Sequence, residues 1–234
     1  MTDVQAVSRP ATRVRGVLFD RDETIAYTDT GVYREVAVWA AREYGLDPRV
    51  VGQALQAQWA AQEDPAQVGG WWGLRSEADE AAYWERYAQE LAARLDLPAE
   101  RLGLLLQEWP YERYMKAYPA ARGVLEALRA RGVKVGVLSN TLPSIGVTLD
   151  AIGLGDVVDV AIASCSLGVH KPERDAYLRS ADLMELPVQE ILFVDDKPEN
   201  VTAAREAGMR AALIDLRHGT PGALHDLRDV LELV

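Results

Sequence analysis

Five short aliphatic runs, each ending in polar or turn residues, set the tightest limit on how this chain folds. They are VRGVLFD (14–20), VKVGVLS (133–139), VVDVAIAS (157–164), ILFVD (191–195) and AALID (211–215). None alternates strictly with polar residues, which is the pattern of strands buried on both faces. Helical patterns separate the later runs. PAARGVLEALRARG sets Val124, Leu125 and Leu128 at helical spacing and stops at Gly132. NTLPSIGVTLDAIG opens on the cap candidates Asn140 and Thr141 and closes at Gly153. KPERDAYLRSADLM places Pro172 in a first helical turn, and KPENVTAAREAG repeats that pattern and ends at Gly208. Repeated strand–helix–strand units predict an α/β fold with a parallel sheet covered on both faces.

Residues 27 to 116 have a different texture. Strand-like runs vanish and long helical stretches replace them: GVYREVAVWAAREYG, PRVVGQALQAQWAAQ, EADEAAYWERYAQELAARLDL and PAERLGLLLQEW. All six tryptophans fall here, at positions 39, 59, 71, 72, 84 and 109. The expected organisation is an α/β core from residues 1–26 and 117–234, with an all-helical domain, 27–116, inserted after the first strand.

Ligands of parallel α/β sheets bind beyond the carboxyl ends of the strands. The first strand ends in Asp20 and Asp22, the second in Ser139, Asn140 and Thr141, and the fourth in Asp195 and Asp196. A loop after the third reaches Lys171, directly before a helix. Four carboxylates at one edge repel each other unless a cation joins them. Oxygen ligands without a nearby His or Cys point to Mg²⁺ rather than zinc.

In order and spacing these four segments resemble the haloacid dehalogenase-like hydrolase superfamily. Its first motif, Asp-x-Asp-x-Thr, matches Asp20, Asp22 and Thr24; its second matches Ser139; its third, Lys171; its acidic fourth, Asp195 and Asp196. The resemblance spans the chain, because the helical insert looks like the family's C1-type cap. It implies a Rossmann-like three-layer core and a phosphatase acting on a small phosphorylated metabolite. Asp20 would attack phosphorus to form an aspartyl-phosphate, and Asp22 would act as acid and then base. Ser139, the Asn140 N–H and Lys171 would bind phosphate oxygens. Mg²⁺ would bind the Asp20 side chain, the Asp22 backbone carbonyl, and Asp196 with Asp195 and Asn200 in support. Dehalogenases of this fold lack the second carboxylate, so Asp22 favours the phosphatase branch. A phosphomutase, a 2-haloacid dehalogenase and a catalytically silent binding protein are the alternatives.

Composition narrows the partners. A net charge of −11 argues against nucleic acid, whose phosphates need clustered Lys and Arg. No apolar run approaches the roughly 20 residues that span a bilayer. The opening MTDVQAVSRPATR lacks an apolar signal core and reads as a short tail. The single cysteine, Cys165, forms no internal disulfide, which fits a reducing cytoplasm. Monomer and homodimer are both compatible with the sequence.

Each signal has a plainer reading on its own. Asp20 and Asp22 would be a polar turn, Ser139 and Thr141 helix caps, and Lys171 and Arg75 surface residues. His170 reads as structural, Cys165 as a small semi-buried residue and Glu23 as a loop carboxylate. His218 and His225 carry no motif. Trp39, Trp59, Trp84 and Trp109 read as packing within the insert. VGGWWGLR (68–75) differs, because Trp71 and Trp72 between glycines cannot both face one helix core. One or both are candidates for a pocket wall or an interface.

Overall fold

The computed structural model describes residues 13–62 and 70–234. The opening tail up to residue 12, and Val68 and Gly69 of the double-tryptophan stretch, lie outside the described residues. The strands among the described residues are β1 (Gly16–Phe19), β2 (Ala26–Thr28), β3 (Met115–Ala117), β4 (Lys134–Ser139), β5 (Val160–Ala163), β6 (Ile191–Asp195) and β7 (Arg210–Leu213). Five of them form one parallel sheet in the order β5-β4-β1-β6-β7. The helices are α1 (Thr30–Tyr44), α2 (Pro48–Gln62), α3 (Glu77–Arg94), α4 (Ala99–Glu108), α5 (Ala121–Ala130), α6 (Ile145–Ala151), α7 (Ser164–Leu167), α8 (Arg174–Leu183) and α9 (Pro198–Ala207).

The unbroken apolar character of β1 follows from burial on both faces. Val17 and Phe19 share a core with Val124, Leu125 and Leu128 of α5. Leu18 joins Tyr177 and Ala181 of α8 and Ala204 of α9 in a second core. Two glycines allow close packing on that second side. A Cβ at Gly16 would lie 2.8 Å from Met184 Cε, and one at Gly136 3.0 Å from Met184 Sδ.

Register carries the sheet's chemistry to one edge. Phe19, the last residue of β1, lies opposite Val137 of β4 and Val194 of β6. The residues that follow, Asp20, Ser139 with Asn140, and Asp195 with Asp196, therefore emerge together.

Two local expectations change. The helix expected from Asn140 begins at Ile145, after Ser144. Asn140 and Thr141 serve the loop beyond β4 instead: the Asn140 side chain bonds the backbone of Lys171, and the Thr141 carbonyl accepts from Cys165 Sγ. Likewise α8 begins at Arg174 behind Glu173, so Pro172 precedes the helix. The bonds that fix Lys171 to Asn140 hold the chain out of helical geometry there.

The insert α1–α4 departs from and returns to the sheet through paired strands. Residues 26–28 and 115–117 form an antiparallel ribbon, with Ala26 opposite Ala117 and Thr28 opposite Met115. The sequence reads these segments only as connections. Within the insert, Asp29 caps α1 by accepting from the Gly31 N–H, and Gly45 ends it at φ 72°. Ser76 caps α3 through the Asp79 N–H. Buried Glu80 of α3 accepts from the Ser144 N–H and Oγ and from Trp84 Nε1, fastening the insert to the start of α6.

Candidate active site

The sheet edge brings a buried ammonium between two buried carboxylates. Lys171 Nζ donates to Asp20 Oδ1 at 2.5 Å and to Asp195 Oδ2 at 2.7 Å. Burial alone would discharge Lys171, but the Asp20 and Asp195 carboxylates outweigh it and raise its pKa. Asn140 sets the lysine's backbone in place: its Nδ2 donates to the Lys171 carbonyl at 2.9 Å, and its Oδ1 accepts from the Lys171 N–H at 3.0 Å. The sequence offers the Asn140 backbone for phosphate binding and its side chain only as a helix cap; this clasp becomes visible only when β4 and the Lys171 loop are adjacent.

The two aspartates after β6 part company. Asp195 is fully hydrogen-bonded, accepting from Lys171, the Lys197 N–H at 2.8 Å, and Asn200 Nδ2 at 2.9 and 3.0 Å. Asn200 thus faces Asp195. Asp196 has a buried Oδ1 with no hydrogen-bond partner among the described residues. Carboxylate oxygens of Asp20, Asp195 and Asp196 lie within 4.8 Å of one another. Burial, then Asp195 and Asp22, push Asp20 up to about 7 against the pull of Lys171; burial and Asp195 push Asp196 up to about 6. Surplus negative charge beside an unpartnered buried oxygen is what a hard cation would satisfy, so the residues fit Mg²⁺.

The sign of a pH effect follows. Without metal, the folded protein holds protons on Asp20 and Asp196 that the unfolded chain releases, from about pH 4 up to about pH 6–7. Their contribution to stability is full below about pH 4 and is lost as pH rises through the folded values. Thermal denaturation in EDTA is expected to show Tm falling by several degrees between pH 5 and pH 8, at about 2–4 °C per kcal/mol for a chain of this size. A flat or rising profile contradicts the burial of these two carboxyls.

Asp22 stands apart, on the open side. It accepts from Ser139 Oγ at 3.2 Å and pairs with Arg21 Nη2 at 3.0 Å. Arg21 is the residue that sequence reasoning missed. Between the two motif aspartates it is almost completely buried and donates to the Tyr111 hydroxyl at 2.7 Å, while its Nη1 has no partner among the described residues. An arginine inside an acidic strand-end motif was the available signal.

A cleft of about 490 Å³ opens beside these groups, bounded among others by Asp22, Asn140, Lys197, Trp71, Trp72 and Tyr111. Both adjacent tryptophans line it, stacked at 4.0 Å between centroids. His170 supports them: one ring nitrogen meets Ser164 Oγ, the other the Trp72 carbonyl, and burial lowers its pKa. Arg75 is exposed yet bonded to the carbonyls of Trp72, Leu74 and Cys165. Glu23 meets Tyr118 and Arg217, outside the carboxylate cluster. Cys165 is a buried free thiol, with burial raising its pKa to about 11. His218 and His225 pack on each other, with His225 Nδ1 on the Asp215 carbonyl.

Residues 14–208 match the family described as haloacid dehalogenase-like hydrolase. The chain belongs to that family. Among relatives, Phosphatase MT3486 of Mycobacterium tuberculosis (strain CDC 1551 / Oshkosh) is 32% identical over 222 residues, covering 92% of this chain and 94% of the relative. Phosphoglycolate phosphatase of Shigella boydii serotype 4 (strain Sb227) is 26% identical over 212 residues, covering 83% of this chain and 79% of the relative. Among solved structures, the L-2-haloacid dehalogenase RSc1362 superposes with a TM-score of 0.62 at 26% identity, covering 95% of this chain and 99% of that one. The haloacid dehalogenase-like fold therefore accounts for the whole sheet and its helical insert. Among the described residues, no helix is long and apolar enough to cross a membrane.

Proposed function

We propose that this hydrolase is a Mg²⁺-dependent phosphatase acting on a small phosphorylated metabolite through an aspartyl-phosphate. The observation that carries the reading is Asp20, buried and bonded to Lys171, with a second carboxylate, Asp22, on the open side of the same turn. Phosphatase-named relatives support it.

An Asp20 oxygen forms a bond to phosphorus while the ester P–O bond breaks, and Asp22 gives its proton to the departing oxygen. Water then attacks the same phosphorus, passes a proton to Asp22, and the Asp20–phosphorus bond breaks to free orthophosphate. Lys171, kept protonated by Asp20 and Asp195, offsets the charge that builds on the phosphoryl oxygens. Ser139 Oγ and the Asn140 N–H take further phosphoryl oxygens. Asp20 and Asp196, together with the Asp22 backbone carbonyl, would hold Mg²⁺, with Asp195 in support through its grip on Lys171. A bound Mg²⁺ would supply positive charge against which a carboxylate can approach a dianionic ester.

Residues 27–116 act as a cap over the α/β core of residues 1–26 and 117–234, hinged near 26–30 and 115–119. The paired β2 and β3 at both crossings support that reading. Closure of such a lid excludes water from the reacting centre. Asp22 argues against a haloacid dehalogenase, which needs no proton delivered to a departing halide. Turnover of p-nitrophenyl phosphate is expected with millimolar Mg²⁺ and is expected to disappear in EDTA. Undiminished turnover in EDTA, or release of chloride from L-2-chloropropionate instead, sinks the reading.

A further inference from the structure

A second cavity, of about 280 Å³, lies in the helical insert against the cleft. Its lining includes Leu55, Trp84, Tyr87 and Leu105. Thr28, Trp59 and Tyr111 line both spaces and form the partition between them. Trp59 and Tyr111 stack with centroids 5.7 Å apart and planes 19° apart. Both are half-buried, and a substrate that spans the two spaces passes beside or between them. The partition is also tied to the reacting end, because the Tyr111 hydroxyl accepts from Arg21, the residue between Asp20 and Asp22.

The chemistry of the cavity selects its occupant. The wall is mostly aromatic and aliphatic, with Thr28, Glu80, Gln107, Glu112 and Ser144 as polar members, and an apolar cavity of about 150 Å³ is enough to hold benzene. Trp109 lines the same cavity, and its buried Nε1 has no hydrogen-bond partner among the described residues. A compact aliphatic acid such as glycolate has no apolar body to fill this space. We propose that the cavity receives the leaving group of the substrate, which carries a flat aromatic body of one or two rings with an acceptor at its rim. The phosphoryl end then lies at Asp20, Asn140 and Lys171. This inference rests on the phosphatase reading for its orientation and adds the substrate class.

The test compares 2-(1-naphthyl)ethyl phosphate with ethyl phosphate, whose leaving alkoxides are of similar basicity. Wild-type kcat/KM is expected to favour the naphthyl ester by about 100-fold or more, since even one methylene in an apolar pocket is worth about 10-fold or more. Leu106→Trp, which fills the cavity from one wall, is expected to cut that preference by about 10-fold or more on the same grounds. The ratio within one variant is unaffected by any loss of folded protein. Turnover of both esters without preference, or a preference that Leu106→Trp leaves intact, overturns the substrate class while the phosphatase reading stands. If neither ester turns over, turnover of p-nitrophenyl phosphate decides that reading, and calorimetric binding of the naphthyl ester decides the cavity. Binding weakened by Leu106→Trp supports it; absent or unchanged binding overturns it.

Discussion

Asp20→Asn is expected to lower kcat for p-nitrophenyl phosphate by about 10⁴-fold or more, the scale seen when a nucleophile is removed. The amide keeps the shape of the side chain but cannot attack phosphorus. Loss of activity through unfolding would look different, and the structure says how. Burial and the neighbouring Asp195 and Asp22 push Asp20 up to about 7, so its ionised form is held in the protein at a cost. Above that pH the neutral amide removes the cost. The metal-free variant at pH 8 is therefore expected to be at least as stable as wild type while nearly inactive. Full activity in the variant would remove Asp20 from the mechanism; inactivity with a large fall in Tm would point to a structural role instead.

Lys171→Met is expected to show the opposite pairing of effects, losing activity and stability together. Among the described residues its ammonium is the only side-chain charge bonded to Asp20, and it also bonds the fully buried Asp195. Removing one member of a buried ionic set costs about 3–5 kcal/mol, because the partners stay buried without compensation. At about 2–4 °C per kcal/mol, Tm should fall by roughly 6–20 °C. The carboxyls can relieve the loss by taking up protons, so the deficit should be smaller at pH 5 than at pH 8. Asp195→Asn in the same background removes one of the stranded charges. Its oxygen can still accept from the Lys197 N–H, so the double variant should recover part of the stability but none of the turnover. A double variant less stable than Lys171→Met alone would contradict this account of the charges.

Much of this was legible in the chain. Runs such as VRGVLFD and ILFVD announce strands covered on both faces, and the strand-end rule gathers the residues that close them at one edge. What escaped was set by contacts distant in sequence. β2 and β3 are three-residue strands that exist because they meet each other, and neither carries a pattern long enough to show. Arg21 reads as the filler of a motif until its burial and its bond to Tyr111 are seen. Trp59 and Trp84 read as packing and do pack against the core, but both also line a cavity, because their helices leave space between them rather than closing on it. The helix start misplaced at Asn140 has the same origin: an amide that could cap a helix locally finds the backbone of Lys171.

The central claim is that Asp20 carries the phosphoryl group, and it can be read directly. Borohydride added during steady turnover reduces an acyl-phosphate to the alcohol, which peptide mass spectrometry detects as homoserine. The account predicts that conversion at residue 20, dependent on substrate and absent without it. Brisk turnover with residue 20 unreduced, or conversion at Asp22, Asp195 or Asp196 instead, would contradict it.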